Sequence, residues 1–312
     1  MQPRVSVIFP VHSRQAYLRE AIESILRQTM ADLELLVIED GHFPAVAAIL
    51  DDYTDSRIRR IRFPLNMGVS TARNAGLASA RAPYIAMMAS DDEADPRRLA
   101  TQLAWMDAHP EVTACGTHAV KLLPDGRRLP MAYPQDDGHI KARLWWVDGA
   151  VLNPTVLLRT DFVRQHGIFF DPNLPRDEDH AFYVAMMKAG ARFQAIPEPL
   201  FLYRRHAENV TNEVSRIDDE KTAVRVRLLP LFFPQLTGVE GQFVLHLMRH
   251  RPALSAHDMW AAVALAEKAM RETRSFYGED RREINSLLHW GTRRALTRYA
   301  PVPRAAPARD AG

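Results

Sequence analysis

Four short apolar runs, each followed by a stretch with apolar residues at helical spacing, fill roughly the first ninety residues and constrain the fold more than any other feature. Val5–Val11 is rich in β-branched residues and stops at Pro10-Val11-His12-Ser13, which reads as a strand buried on both faces. Leu18, Ala21, Ile22, Ile25 and Leu26 then mark one stripe of a helix, with Ser13 as the expected cap. Leu33–Ile38 is a second strand ending in Glu39-Asp40-Gly41, Ala45–Tyr53 a shorter helix, and Ile58–Phe63 a third strand. After the turn Asn66-Met67-Gly68, Ser70 is expected to cap a helix reaching Ala80. Pro83–Met88 is the fourth strand, ending at Ser90-Asp91-Asp92, and Asp95-Pro96 is expected to open another helix. Such alternation predicts an α/β fold: a parallel sheet with helices on both faces.

The middle of the chain is less regular. Val112–Val120 reads as a strand, and Val151–Arg159 as a strand whose Asn153-Pro154 suits an edge or a bend. Asp177–Ala189 predicts a helix stopped by Gly190, and Phe193–Tyr203 an extended segment broken by Pro197 and Pro199. From about Thr211 the pattern is helical, with Ser255-x-x-Asp258 resembling a capping box. The expected division is 1–212, a helical extension over 213–300, and a low-complexity, disordered tail over 301–312.

Composition narrows the function classes. With 47% apolar and 25% charged residues, a disordered or fibrous chain is excluded. Lys and Arg number 40 against 38 acids, a net charge of +2, which argues against a nucleic-acid partner. Cys115 is the single cysteine, so no intrachain disulfide forms and a reducing compartment fits. No apolar run approaches the roughly 18 residues of a membrane span, and the opening run is too short for a secretory signal. The expectation is a cytoplasmic protein.

In an open parallel sheet, ligands bind beyond the C-terminal ends of the strands. Those ends collect Glu39, Asp40, Asp91, Asp92 and Glu93. Carboxylates gathered this way repel one another unless a hard divalent cation such as Mg²⁺ or Mn²⁺ sits among them, and such a cation commonly also holds phosphate. Neither of the usual glycine-rich phosphate cradles follows the first strand. Arg73, in the helix after Gly68, is therefore a candidate phosphate or base ligand. Glu178-Asp179 opens a helix, where acids either meet the helix dipole or provide a general base. Tyr203-Arg204-Arg205-His206 places cations and an imidazole where a diphosphate could leave.

These segments, in this order, resemble family 2 glycosyltransferases. The resemblance rests on Val5–Val11 with Ser24–Thr29, Leu35–Gly41, Asn66–Asn74, Ala89-Ser90-Asp91-Asp92, Asn153–Val156, Glu178-Asp179 and Tyr203-Arg204-x-His206. It covers roughly residues 4 to 212. It implies a GT-A fold with a C-terminal helical extension, a nucleotide-sugar donor (most often UDP-linked), a divalent metal, and inversion at the anomeric carbon. By position it implies Pro10, Glu39, Asp40 and Arg73 around the nucleoside, Asp91 on metal, and Asp92 on metal or ribose. It further implies Asp179 as general base, Glu178 orienting the acceptor, and Arg204 and His206 on diphosphate or metal.

Three residues depart from the family pattern: Ala89 for the first acid of Asp-x-Asp, Glu39 for an Asp, and His42 for a Ser. Ala89 keeps open the alternative of a catalytically silent nucleotide-sugar-binding subunit of a polysaccharide assembly complex. Trp145 and Trp146 either stack on an acceptor sugar or pack internally. Late in the chain, Ile284, Leu287, Leu288, Ala295 and Tyr299 form an apolar helix face beside Arg281, Arg282, Arg293, Arg294 and Arg298. That pattern suits either a packed helix or one lying on an anionic membrane that presents a lipid-linked acceptor.

Overall fold

The computed structural model describes residues 2–13, 16–144, 150–174, 177–206, 209, 226, 229–230, 232–249, 255–271 and 282–299, with backbone only at 249, 256, 298 and 299. Trp145, Trp146, Arg281 and the tail 301–312 lie outside them. The chain divides into two compact units, Met1–Val224 and Arg225–Gly312.

The first unit holds a nine-stranded sheet. Its strands are β1 (Val5–Val11), β2 (Leu33–Asp40), β3 (Ile58–Phe63), β4 (Tyr84–Met87), β5 (Glu93–Ala94), β6 (Ala114–Leu122), β7 (Arg128–Met131), β8 (Leu157–Arg159) and β9 (Phe193–Arg204). The order is β3-β2-β1-β4-β8-β6-β9-β5, with β7 on β6. β1 pairs parallel with β2 and β4, and β2 with β3, as the strand–helix alternation predicts. Antiparallel pairs enter through β8, β7 and β5. Every residue of β2 is buried, and so is every residue of β1 except the half-buried Pro10, because helices cover both faces. β3 at the edge is only half-buried and carries three arginines.

The helices of this unit are α1 (Leu18–Leu26), α2 (Pro44–Asp51), α3 (Val69–Ser79), α4 (Arg98–Ala108), α5 (Asp137–Leu144), α6 (Thr160–Gln165) and α7 (Glu178–Lys188). Their starts correct three expectations. Tyr17, not Ser13, is the N-cap of α1, and the Ser13 hydroxyl lies 3.1 Å from His12 Nδ1. Gly68 is the N-cap of α3 at φ +87°, a conformation L side chains resist, and Ser70 is buried inside the helix. α4 starts three residues beyond Asp95, whose carboxylate accepts the Arg97 N–H at 2.9 Å. Residues 151–159 also differ from expectation. Asn153–Thr155 forms a 3-10 turn, and β8 follows it as an interior strand between β4 and β6. Pro154 lies ahead of the ladder, so its missing N–H costs no strand bond.

The second unit contains α8 (Gly238–Arg249), α9 (Ala256–Met270) and α10 (Arg282–Tyr299). Ser255 caps α9 by accepting the Asp258 N–H at 3.1 Å. On α10, Ile284, Leu288 and Ala295 are buried, while Arg282, Arg293 and Arg294 are exposed. Three of the five apolar-face residues are thus packed, and Leu287 is half-buried. No described helix is long and apolar enough to cross a membrane.

Candidate functional site

A cavity of about 360 Å³ opens at the C-terminal ends of β1, β2 and β4. β1 contributes Pro10 and Val11, followed by His12, and β2 contributes Asp40. The segment after β4 adds Met88 through Asp91, α3 adds Arg73, and the 3-10 turn adds Asn153 and Pro154.

Asp40 is buried and accepts the Met67 N–H at 2.6 Å, which fixes the loop leading into α3. Glu39 departs from its expected place. Neighbouring strand residues face opposite ways, so Glu39 turns from the cavity toward β3. There it accepts from Arg60 Nε at 2.7 Å and Arg62 Nε at 2.9 Å. Burial alone raises its pKa, but the two guanidinium groups outweigh burial and hold the carboxyl below its ordinary value.

Arg73 lines the cavity and donates to Glu178 Oε1 at 2.5 Å, with its guanidinium carbon 5.1 Å from the Phe170 ring centre. This joins α3 to the first turn of α7, where Asp179 Oδ1 accepts the His180 N–H at 2.8 Å. The N-cap of α7, Asp177, has φ +59°, an uncommon conformation for a non-glycine residue.

The pairing of β5 with β9 sets Glu93 opposite Leu202, which brings residues 91–92 beside 204–206. His206 Nε2 lies 3.0 Å from Asp91 Oδ2, and the two side chains are only 12% and 13% exposed. A carboxylate oxygen and an imidazole nitrogen converging beside a nucleotide-sized cavity suit a divalent cation that also takes phosphate oxygens. Ala89 adds no ligand.

Asp92 and Arg204 also stand apart from the cavity, and Glu178, Asp179 and His206 do not line it either. Asp92 is 1% exposed and accepts the Arg204 N–H at 2.8 Å. Burial first, then the Asp91 charge, pushes its carboxyl well above the usual range. Arg204 pairs with Glu20 at 2.6 Å and Glu93 at 2.5 Å, and its guanidinium lies 4.2 Å from the Tyr17 ring centre. Its charge is thus paired with two acids, and it does not line the cavity.

Sequence reasoning assigned no role to Arg98 or Tyr183. Arg98 is 0% exposed and donates to the Met87 carbonyl and to Gln102 Oε1, both at 3.0 Å. Burial pulls its pKa down to about 9. An arginine one residue before Leu99 and four before Gln102, on the buried face of α4, was the legible signal. Tyr183, buried on α7, has no signal in the sequence, since aromatic residues on a buried helix face are ordinary core.

An open α/β sheet with a cavity at its carboxyl edge, lined by carboxylates and an arginine, is the architecture in which α/β enzymes hold nucleotide ligands. The family model described as glycosyl transferase family 2 matches residues 6–156. A glycosyltransferase of Haemophilus influenzae is 27% identical over 238 residues, 72% of each chain. The glycosyltransferase EpsJ of Bacillus subtilis is 28% identical over 228 residues, covering 68% of this chain and 64% of that one. Among solved structures, S. aureus TarS 1-349 in complex with UDP-GlcNAc aligns with TM-score 0.63 at 17% identity, over 96% of this chain and 89% of that one. The mannosyltransferase PcManGT of Pyrobaculum calidifontis, in complex with GDP-Man and Mn²⁺, aligns with TM-score 0.52 at 15% identity, over 97% and 77%. Residues 6–156 thus match glycosyltransferase family 2, and the chain is a glycosyltransferase of GT-A fold.

Proposed function

We propose that the protein transfers a sugar, with inversion, from a nucleotide donor to a hydroxyl of a glycan or lipid-linked glycan, in cell-surface polysaccharide synthesis at the cytoplasmic side. The observation that carries this reading is the cavity itself, lined by Asp40, Arg73 and Asp91. UDP is the favoured nucleotide, in keeping with the UDP-GlcNAc held by TarS.

In this reading Asp40 and Pro10 hold the nucleoside, and Arg73 meets the diphosphate. Asp91 and His206 hold Mn²⁺ or Mg²⁺, with Asp92 behind them. A cation there supplies Lewis-acid stabilisation of the leaving diphosphate. Arg204 acts from behind the site, anchoring the turn that carries His206. Asp179 accepts the acceptor hydroxyl proton as that oxygen bonds to the anomeric carbon and the bond to the diphosphate breaks. Glu178 orients the acceptor. The exposed Arg282, Arg293 and Arg294 of α10, with Trp290 at 44% exposure, offer contact with anionic lipid headgroups.

The test is calorimetric titration with UDP, with and without Mn²⁺. Metal-strengthened UDP binding supports the reading, and loss of that strengthening in Asp91→Asn assigns the metal to Asp91. If UDP, GDP and dTDP all fail to bind, the reading is wrong. Co-flotation with anionic but not zwitterionic vesicles checks the lipid contact.

A further inference from the structure

Asn153 is 6% exposed, begins the 3-10 turn before β8 and lines the cavity. Its Oδ1 accepts a hydrogen bond from the Tyr183 hydroxyl at 2.8 Å. Among the described residues, none accepts from its Nδ2. An amide with its oxygen taken has only its N–H donors left to offer.

Tyr183 is 2% exposed and lies one helical turn beyond Asp179 on α7. Its ring is held edge-on by Phe182 and Phe193, with centroids at 5.5 and 6.4 Å. Burial first, then the Asp179 charge, raises the phenol well above its ordinary pKa, so the hydroxyl keeps its proton and remains a donor.

The strand order separates Asn153 from Asp40 along the sheet edge. Running β2-β1-β4-β8, it sets Asp40 at one end and the turn before β8 at the other. In the nucleotide-sugar reading, a nucleoside at the Asp40 end would carry its sugar toward Asn153.

We propose that Tyr183 is a positioning residue: it holds the Asn153 amide oxygen, so that Nδ2 faces the cavity and donates to an oxygen of the donor's sugar. This rests on the nucleotide-sugar reading above. It makes Asn153 a determinant of sugar recognition and links the sugar contact, through one hydrogen bond, to the helix that carries Asp179.

The test compares each nucleotide sugar with its bare nucleoside diphosphate. Wild type, Tyr183→Phe, Asn153→Ala, Asn153→Asp and the Tyr183→Phe/Asn153→Ala double variant are titrated with UDP, UDP-N-acetylglucosamine, UDP-glucose, GDP and GDP-mannose. Tyr183→Phe removes one oxygen and keeps the ring contacts. Asn153→Asp keeps an acceptor for Tyr183 but loses the donor, so it reports on recognition even if another variant fails to fold. For the sugar that wild type binds best, the variants are expected to weaken binding about 5- to 10-fold, the size of one hydrogen bond, with the bare diphosphate unchanged. The double variant is expected to lose no more than Asn153→Ala alone, because Tyr183 acts through Asn153. Parallel loss for sugar and bare diphosphate, or additive losses in the double variant, overturns the inference while leaving the nucleotide site standing. Failure of wild type to bind any nucleotide sinks both.

Discussion

Arg73 of α3 and Glu178 of α7 form an ion pair at 2.5 Å, with side chains 15% and 12% exposed, so the donor-side helix is fastened directly to the helix carrying the proposed base. Truncating one partner leaves the other charge largely buried, a cost of about 3 kcal/mol. Arg73→Ala is therefore expected to lower the urea midpoint clearly, and Glu178→Gln, which keeps a hydrogen-bond acceptor, to lower it less. Equal midpoints for Arg73→Ala and wild type would show that the pair is not a fastening.

Asp179→Asn tests the proposed base. General-base removal is expected to reduce kcat by about 10²- to 10⁴-fold, with binding of the nucleotide donor unchanged. Near-normal turnover with the true acceptor would move the proton to another group.

Glu34 and Glu39 make stability fall in acid. Burial raises both carboxyls, but Ser6, Arg59 and the Arg81 N–H for Glu34, and Arg60 and Arg62 for Glu39, outweigh it and lower both below the ordinary 4.5. As pH falls below about 4.5, the unfolded chain takes up these protons before the folded one. The stabilisation is thus complete above that pH and is lost as pH drops through the folded values. Glu34→Gln is expected to be less stable at neutral pH and to show a shallower loss of Tm in acid.

Gly76 packs against the central strand β1. A Cβ there would lie 2.6 Å from Ile8 Cγ2, and Ile8 is fully buried. Gly76→Ala is expected to cost about 1–3 kcal/mol in denaturant unfolding. The Gly76→Ala/Ile8→Ala pair is expected to lose less than the sum of the single changes, since they share one contact.

Cys115 has 0% exposure, and burial pushes its thiol up to about 12. Iodoacetamide at neutral pH is expected to leave the folded protein unmodified and to label it in guanidinium, so that labelling reports unfolding. Rapid labelling of the native protein would contradict the buried placement.

The first four strands and the helices between them were legible because each has a strong local signal. β1 and β2 are apolar throughout, and α1 shows its stripe at Leu18, Ala21, Ile22 and Ile25. Helix starts were less legible. Ser13, Ser70 and Asp95 all have capping chemistry, yet none is the N-cap, because the chain geometry before each helix decides who stands there. β8 was obscured by Asn153-Pro154, and its interior position depends on partners distant in sequence.

The sequence by itself determined the parallel strand–helix alternation, the strand ends that gather Asp40 and Asp91, and the order of motifs that marks the family. Only the tertiary structure decided which side chains reach the cavity. It turned Glu39 to Arg60 and Arg62, buried Asp92, committed Arg204 to Glu20 and Glu93, and set Tyr183 against Asn153. A strand or helix pattern is written by neighbours within a few residues, so it can be read along the chain. A charged or hydroxyl side chain settles on the strongest partner within reach, and here those partners lie up to 184 positions away, between Glu20 and Arg204.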